Sequence, residues 1–254
     1  MKKSQENAKE QKNNMILRME PEGLTLVSGE MALRGDFTRM LKRIRPDNLR
    51  REFLVKAAGI KGVDDFGGAD GAVESDGWNS LTAIDATAGL GEDSLILAAA
   101  GFSVKLYEYN PVIAALLKDA LRRAADIPEL KDAVDRMEVF EEDSLEVLPY
   151  LTERPDVILL DPMFPARKKS ALVKKKLQLL QKMERPCADE AALLDAAIAA
   201  GPRRVIIKRP PKGSYLAGRK PSFSIRGKAV RFDCIMPAPQ GSVGCARRSG
   251  LKNL

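Results

Sequence analysis

The sequence predicts an α/β fold: a doubly wound, mostly parallel sheet with an antiparallel terminal hairpin, preceded by a small N-terminal subdomain. Three observations carry this expectation. From Leu81 to Ile207, short apolar strands alternate with helix-length segments, the pattern of βαβ units. One strand, Asp156–Leu160, is almost wholly apolar, as expected of a parallel strand buried on both faces. After the last helical segment come two strands joined by Gly227-Lys228, which read as a hairpin with a tight turn.

Taken in order, residues 1–14 are polar and charged and read as a flexible tail. Ile16–Met19 and Leu24–Val27 flank a Pro-Glu-Gly turn and predict a short hairpin. Asn48 as N-cap predicts a helix to Ile60, with Gly62 near its end. Residues 15–66 are the expected N-terminal subdomain. The Gly- and Asp-rich stretch within 67–80 is the expected linker, and residues 81–236 form the α/β domain. Within it, Leu81–Ile84 is the first strand. A helix over Ser94–Ala100 follows, stopped by Gly101, and Ser103–Tyr107 is the second strand. Asn110-Pro111 opens a helix, because Asn caps well and Pro suits the first helical position. Met137–Phe140 is the third strand, Asp156–Leu160 the fourth and Val205–Ile207 the fifth. Helices are expected over Ser170–Gln181 and Asp189–Ala200, with Gly201 as C-cap. Ser222–Arg226 and Ala229–Ile235 form the hairpin, and residues 237–254 read as a flexible basic tail.

Composition excludes several chemistries. The chain has no histidine, which removes a Ser-His-Asp triad, a histidine general base and any His-ligated metal site. Its three cysteines, Cys187, Cys234 and Cys245, form no CxxC pair, so neither zinc nor a disulfide framework is indicated. They read as reduced thiols of a cytoplasmic protein. No secretory leader and no membrane span are read in the sequence. The formal charge of +7 suits a polyanionic partner or simple solubility.

The first candidate site is Asp85-Ala-Thr-Ala-Gly-Leu-Gly91, between a strand and a helix, where nucleotides bind in open α/β sheets. Gly89 and Gly91 allow a sharp turn and close approach of a ligand. A dinucleotide fingerprint needs a third glycine, and position 94 is serine. Asp85 at the strand tip suits a cationic ligand better than a pyrophosphate. S-adenosylmethionine, with an ammonium, a sulfonium and no phosphate, fits such a loop. A plain strand-to-helix turn accounts for it equally. Thr87, Ala88, Glu92 and Asp93 complete the loop's candidate contacts.

Glu108, with Tyr109 beside it, follows the second strand, 19 positions beyond Gly89, and could accept from a ribose diol or be a solvated loop acid. Asp143 and Ser144 follow the third strand. Asp143 could contact an adenine amino group or cap the segment at Leu145.

The sharpest signal is Asp161-Pro-Met-Phe-Pro165, directly after the buried fourth strand. A carboxylate there faces the cleft, Pro162 and Pro165 stiffen the loop, and Phe164 offers a face for a base to stack upon. The Asp161 carboxylate and the Pro162 carbonyl could grip the protons of an exocyclic amino group and stabilise charge appearing on its nitrogen. A structural turn with a buried Phe is the bland alternative. The stretch Ala166–Lys176 then holds Arg167, Lys168, Lys169 and Lys174 among six basic residues and no acid. Residues 196–232 hold ten basic residues and no acid, including Lys208 and Arg209 at the fifth strand's tip. Seven basic residues against two acids occupy residues 34–51. These runs read either as a solvated surface or as contacts to a phosphate backbone.

Together, Asp-Ala-Thr-Ala-Gly-Leu-Gly, Glu-x-Asn-Pro, Asp-Pro-Met-Phe-Pro, Lys-Ser-Ala-Leu-Val-Lys-Lys and Val-Ile-Ile-Lys-Arg-Pro resemble the ribosomal RNA small subunit methyltransferase J family. Arg51–Lys61 is similar to that family's helix before the first motif, and the resemblance runs from about Arg51 to Ile235. It implies a Rossmann-like class I S-adenosylmethionine-dependent methyltransferase fold with a seven-stranded sheet. It also implies methylation of the exocyclic N2 of one guanosine in small-subunit (16S) ribosomal RNA. Asp85 and Gly89 are implied at the methionine side, Glu108 at the ribose and Asp161 at the amino group. Many amino-methyltransferases carry a second Pro where this chain has Met163, a Met that the resembled family shares. The alternatives are methylation of adenine N6 or another nucleic acid, a nicotinamide-dependent oxidoreductase, and a non-catalytic RNA-binding protein.

Overall fold

The structure is a computed structural model and describes residues 15–59, 81–162 and 189–237. Two sheets organise it. The smaller is antiparallel and made of β1 (Met15–Glu20), β2 (Gly23–Ser28) and β3 (Met31–Leu33), in that order. Short helices follow: a 3-10 turn at Phe37–Met40, α1 (Leu41–Ile44), α2 (Pro46–Leu49) and α3 (Phe53–Ala58).

The larger sheet is built from β4 (Thr82–Asp85), β5 (Ser103–Tyr107), β6 (Met137–Phe140), β7 (Val157–Leu160), β8 (Arg204–Arg209), β9 (Phe223–Arg226) and β10 (Arg231–Ile235). Its spatial order is β6-β5-β4-β7-β8-β10-β9. β10 pairs antiparallel with both neighbours, so it is the one reversed strand of the seven. The helices between strands are α4 (Glu92–Ala99), α5 (Pro111–Ala124), α6 (Pro128–Val134), α7 (Ser144–Val147) and α8 (Glu190–Ala199). This is the mostly parallel, Rossmann-like sheet with a terminal antiparallel hairpin that the sequence predicted.

Each βαβ unit forms for a local reason. Asn110 accepts from the amides of Val112 and Ile113 at the start of α5, and Pro111 occupies its first position. Asp189 caps α8 by accepting from the Ala192 amide at 2.8 Å. Gly91, at φ +75°, turns the chain from the β4 loop into α4. A Cβ added there would come within 2.7 Å of Leu117 Cδ1, so this approach of the loop to α5 requires glycine.

One large core joins Leu95–Ala98 of α4, Val104 and Leu106 of β5 and Leu117 of α5 to Phe37, Met40, Leu54 and Val55 of the N-terminal helices. A second lies on the other face, around Ile158, Leu160, Leu193, Leu194, Val205 and Ile207. The small sheet has its own cluster of Leu26 and Leu33 against Leu116 of α5. It is also pinned by the Leu24 amide, which donates to Asp119 at 2.9 Å.

The helix expected over 48–60 is divided. Pro46 keeps Arg45 extended and starts α2, and Asn48 sits inside α2, donating to the Lys42 carbonyl at 2.7 Å. The next helix starts at Phe53 and ends on Gly59, at φ +66°. β3 and α6 were not expected. The terminal hairpin closes through four residues, 227–230, with the Gly227 amide donating to the Val230 carbonyl at 2.8 Å. The linker, both tails, the subdomain boundary at 66 and the helix expected at Ser170–Gln181 lie outside the described residues. Among the described residues no helix is long and apolar enough to cross a membrane.

Candidate active site

Sheet register brings the acids together. Asp85 pairs with Leu106 on one side and Leu159 on the other. Glu108 and Asp161 therefore stand two residues beyond it, at the C-terminal tips of β5 and β7. Leu160 pairs with Ile207, which sets Lys208 level with Asp161 on the adjacent strand. This is the edge where open α/β sheets bind ligands.

The β4 loop is tied down by its surroundings. Asp85 is 3% exposed and accepts from Ser94 Oγ at 2.5 Å and from the Thr87 amide at 3.1 Å. Burial pushes its carboxyl up to about 7, against the stabilising hydrogen bonds of Ser94 and Thr87. Thr87 Oγ1 accepts from the Asp161 amide at 2.6 Å, locking the β7 tip to the β4 loop. The Ala88 amide donates to the Tyr107 carbonyl. Ser144 Oγ donates to the Ala86 carbonyl at 2.8 Å and joins the β6 loop to the same turn.

Glu108 is buried at 4% exposure and acts as a clamp. It accepts from the Gly89 amide at 2.9 Å and from the Asn110 amide at 2.9 Å. Burial raises its carboxyl above the usual range, opposed by those two amides. Tyr109 beside it is exposed. Asp143 accepts from the Leu145 amide at 2.9 Å, so it caps α7, the structural role the sequence allowed for it.

Asp161 differs from the other two acids. Its side chain is 37% exposed, and its Oδ2 lies 2.9 Å from Lys208 Nζ. The same ammonium reaches Asp93 Oδ2 at 2.5 Å. Burial raises Asp161 above the ordinary carboxylate value, opposed by Lys208. Burial also disfavours the Lys208 charge, but Asp93 and Asp161 outweigh it and hold its value above that of a free lysine.

Here the structure corrects two expectations. Lys208 was read as a phosphate contact and instead turns inward between two carboxylates. Arg209 was read likewise but is 2% exposed, with Nε donating to the Ser214 carbonyl at 2.9 Å and Nη1 3.6 Å from Glu190. Arg209 is buried, and Lys208 keeps 26% of its side chain exposed while paired with both acids. Ser94 was missed as a partner of Asp85. Its signal was a small hydroxyl in the first turn of the helix that follows the loop. Met163, Phe164, Arg167, Lys168, Lys169 and Lys174 lie outside the described residues.

The donor set fits S-adenosylmethionine. Glu92 and Asp93 occupy the first turn of α4, where a dinucleotide would need to place its pyrophosphate. Three acids border the edge, and a Cβ built on Gly89 meets nothing within 4 Å, so the loop backbone is open to a ligand. Asp85, Gly89 and Glu108 are the residues that would hold it. Among the described residues no group of His, Cys, Asp and Glu is placed to hold a metal ion.

Comparison with known proteins agrees with this geometry. Residues 1–237 match the family described as "Putative SAM-dependent methyltransferase". The ribosomal RNA small subunit methyltransferase J of Aeromonas hydrophila is 49% identical over 156 residues, 61% of this chain and 63% of that protein. The match thus spans less than two thirds of that relative's length. The protein of the same name from Alkalilimnicola ehrlichii is 42% identical over 212 residues, 81% of this chain and 74% of that one. The crystal structure of a SAM-dependent methyltransferase from Neisseria gonorrhoeae superposes with a TM-score of 0.62 at 28% identity, covering 86% of this chain and 80% of that one. The chain belongs to this family of SAM-dependent methyltransferases, together with the relatives named ribosomal RNA small subunit methyltransferase J.

Proposed function

We propose that this protein methylates the exocyclic N2 amino group of a guanosine in small-subunit (16S) ribosomal RNA. The observation that carries the reading is Asp161. It is the partly exposed acid at the tip of a buried parallel strand, with its amide fixed by Thr87. When bound, S-adenosylmethionine supplies an electrophilic methyl group on a sulfonium. The chain's own residues do the rest.

An amino group conjugated to its ring is a poor nucleophile. Asp161 accepts a hydrogen bond from one of its N–H groups, orients the nitrogen lone pair, stabilises the positive charge that develops as the nitrogen takes the methyl group from sulfur, and takes the proton that the methylated nitrogen then sheds. The Pro162 carbonyl accepts from the second N–H, on a loop stiffened by the proline ring. Asp85 and Glu108 shape the cofactor loop, and each carboxylate oxygen keeps capacity for a further donor. Asp143, Ser144 and Tyr109 border the adenine side. Phe164 stacks on the base, and Arg167, Lys168, Lys169 and Lys174 contact phosphates. The partner is ribosomal RNA, free or assembled, and the work is done in the cytoplasm. The names of the relatives support the RNA, and the resemblance of the Asp161–Pro165 loop supports the amino group.

The test is transfer of labelled methyl from S-adenosylmethionine to small-subunit RNA, followed by nucleoside analysis. N2-methylguanosine is the expected product. Label on adenine N6 would retain the amino-directed chemistry and refute the base assignment. Absence of transfer to either free or assembled small-subunit RNA would refute the reading.

A further inference from the structure

Lys208 is the fifth residue of β8, whose Val205, Ile206 and Ile207 are buried in the core. Its ammonium has three donors, and the structure commits two of them to carboxylates on two different elements. One is Asp161 at the tip of β7. The other is Asp93 in the first turn of α4. An ammonium held on both is a brace between the tip of β7 and the first turn of α4. We propose that Lys208 is the positioning residue of Asp161, bracing it against Asp93 and keeping it ionised as the acceptor for the base's amino group.

The charges around Asp161 show why a cation is needed. Asp93 faces it from α4 and opposes a second negative charge, and Asp85 from β4 opposes it wherever Asp85 is itself ionised. Lys208 and Arg209 face it from β8, and Thr87 Oγ1 holds its amide. Among the described residues, Lys208 is the cation whose ion pair with the Asp161 carboxylate is direct, at 2.9 Å. A protonated Asp161 would offer an O–H to the amino group and would lose most of its power to stabilise positive charge. Lys208 takes Oδ2, and Oδ1 is the oxygen assigned to the base.

This inference rests on the proposed role of Asp161, and its test separates the two. The Asp161 carboxyl is followed by carbon-13 titration in wild type, Lys208→Met and Lys208→Arg, without cofactor or RNA. The acid limb of the kcat–pH profile is measured alongside. Removing the cation should raise the Asp161 midpoint and move the acid limb upward together by ~1–3 pH units, the effect of one adjacent opposite charge. Lys208→Arg should return both toward wild type. Cofactor affinity measured by calorimetry should hold in both variants. An unmoved midpoint in Lys208→Met overturns the proposal, as does loss of RNA affinity or cofactor affinity with an unmoved midpoint. Should Lys208→Met not fold, Asp93→Asn decides: it leaves Lys208 on Asp161 alone and removes a neighbouring negative charge, so a lowered Asp161 midpoint supports the brace and an unmoved one overturns it. A wild-type enzyme that methylates no RNA would remove the functional reading while the titrations still report on the brace.

Discussion

Asp85 lies between a hydroxyl and an amide at 3% exposure, and burial pushes its carboxyl up to about 7 from an ordinary 3.8. The folded value exceeds the unfolded one, so the neutral acid is the form the fold favours. Its stabilising contribution is complete below about pH 4 and is lost as pH rises through 7. Asp85→Asn removes that dependence. The stability of wild type minus that of the variant, from denaturant titrations, should fall across pH 4–7 at no more than ~1.4 kcal/mol per pH unit. A difference that stays flat would show that Asp85 is not buried in this way. At this scale the sequence was informative about which acids stand at the strand tips and silent about their partners. Asp85, Glu108 and Asp161 were all legible from their places after apolar strands. That Glu108 clamps the Gly89 and Asn110 amides, and that Lys208 turns inward, depends on contacts between elements far apart in the chain.

At the scale of elements, β10 shows what single-strand patterning conceals. It lies between β8 and β9 with all five residues buried, yet carries Arg231 and Asp233 on one face. Arg231 donates to both oxygens of Asp233 at 2.8 and 2.7 Å, and Nη1 donates to the Pro211 carbonyl at 3.1 Å. Its guanidinium stacks 5.1 Å from the centre of the Tyr215 ring. The pair therefore holds the loop that leaves the Lys208 tip. Arg231→Met should cost ~3–5 kcal/mol in chemical denaturation, because it strands a buried carboxylate. Adding Asp233→Leu should recover most of that loss. A cost below ~1 kcal/mol for the single variant would mean the pair is not sealed from water. Strands β5 and β6 were legible to the residue because apolar runs and turn residues bound them sharply. The break before Phe53 was not, since Asn48 is a plausible cap and only its contact with the Lys42 carbonyl shows it serving α2.

The whole molecule carries a formal charge of +7, with its basic runs on segments that flank the strand tips. Under the proposed function, the basic run after Asp161 supplies phosphate contacts. RNA affinity should decline steeply with salt. Changing Lys168, Lys169 and Lys174 to Gln together should lower the slope of log affinity against log salt by about 2, at roughly 0.7 per single-stranded phosphate contact. An unchanged slope would place the RNA surface elsewhere. The parallel sheet and its terminal hairpin followed from the βαβ rhythm, but the spatial order of the strands did not, because that rhythm fits more than one doubly wound order. The docking of the N-terminal sheet on α5 did not, because Leu26, Leu33 and Leu116 meet only in three dimensions.

The proposed chemistry turns on one carboxylate acting on the nucleophile. Single-turnover methyl transfer by Asp161→Ala, beside calorimetric S-adenosylmethionine affinity, tests it directly. Losing one preorganised contact to developing charge should slow the chemical step by ~10²–10³, with cofactor affinity nearly unchanged. A folded Asp161→Ala protein that methylates small-subunit RNA at the wild-type rate would contradict it.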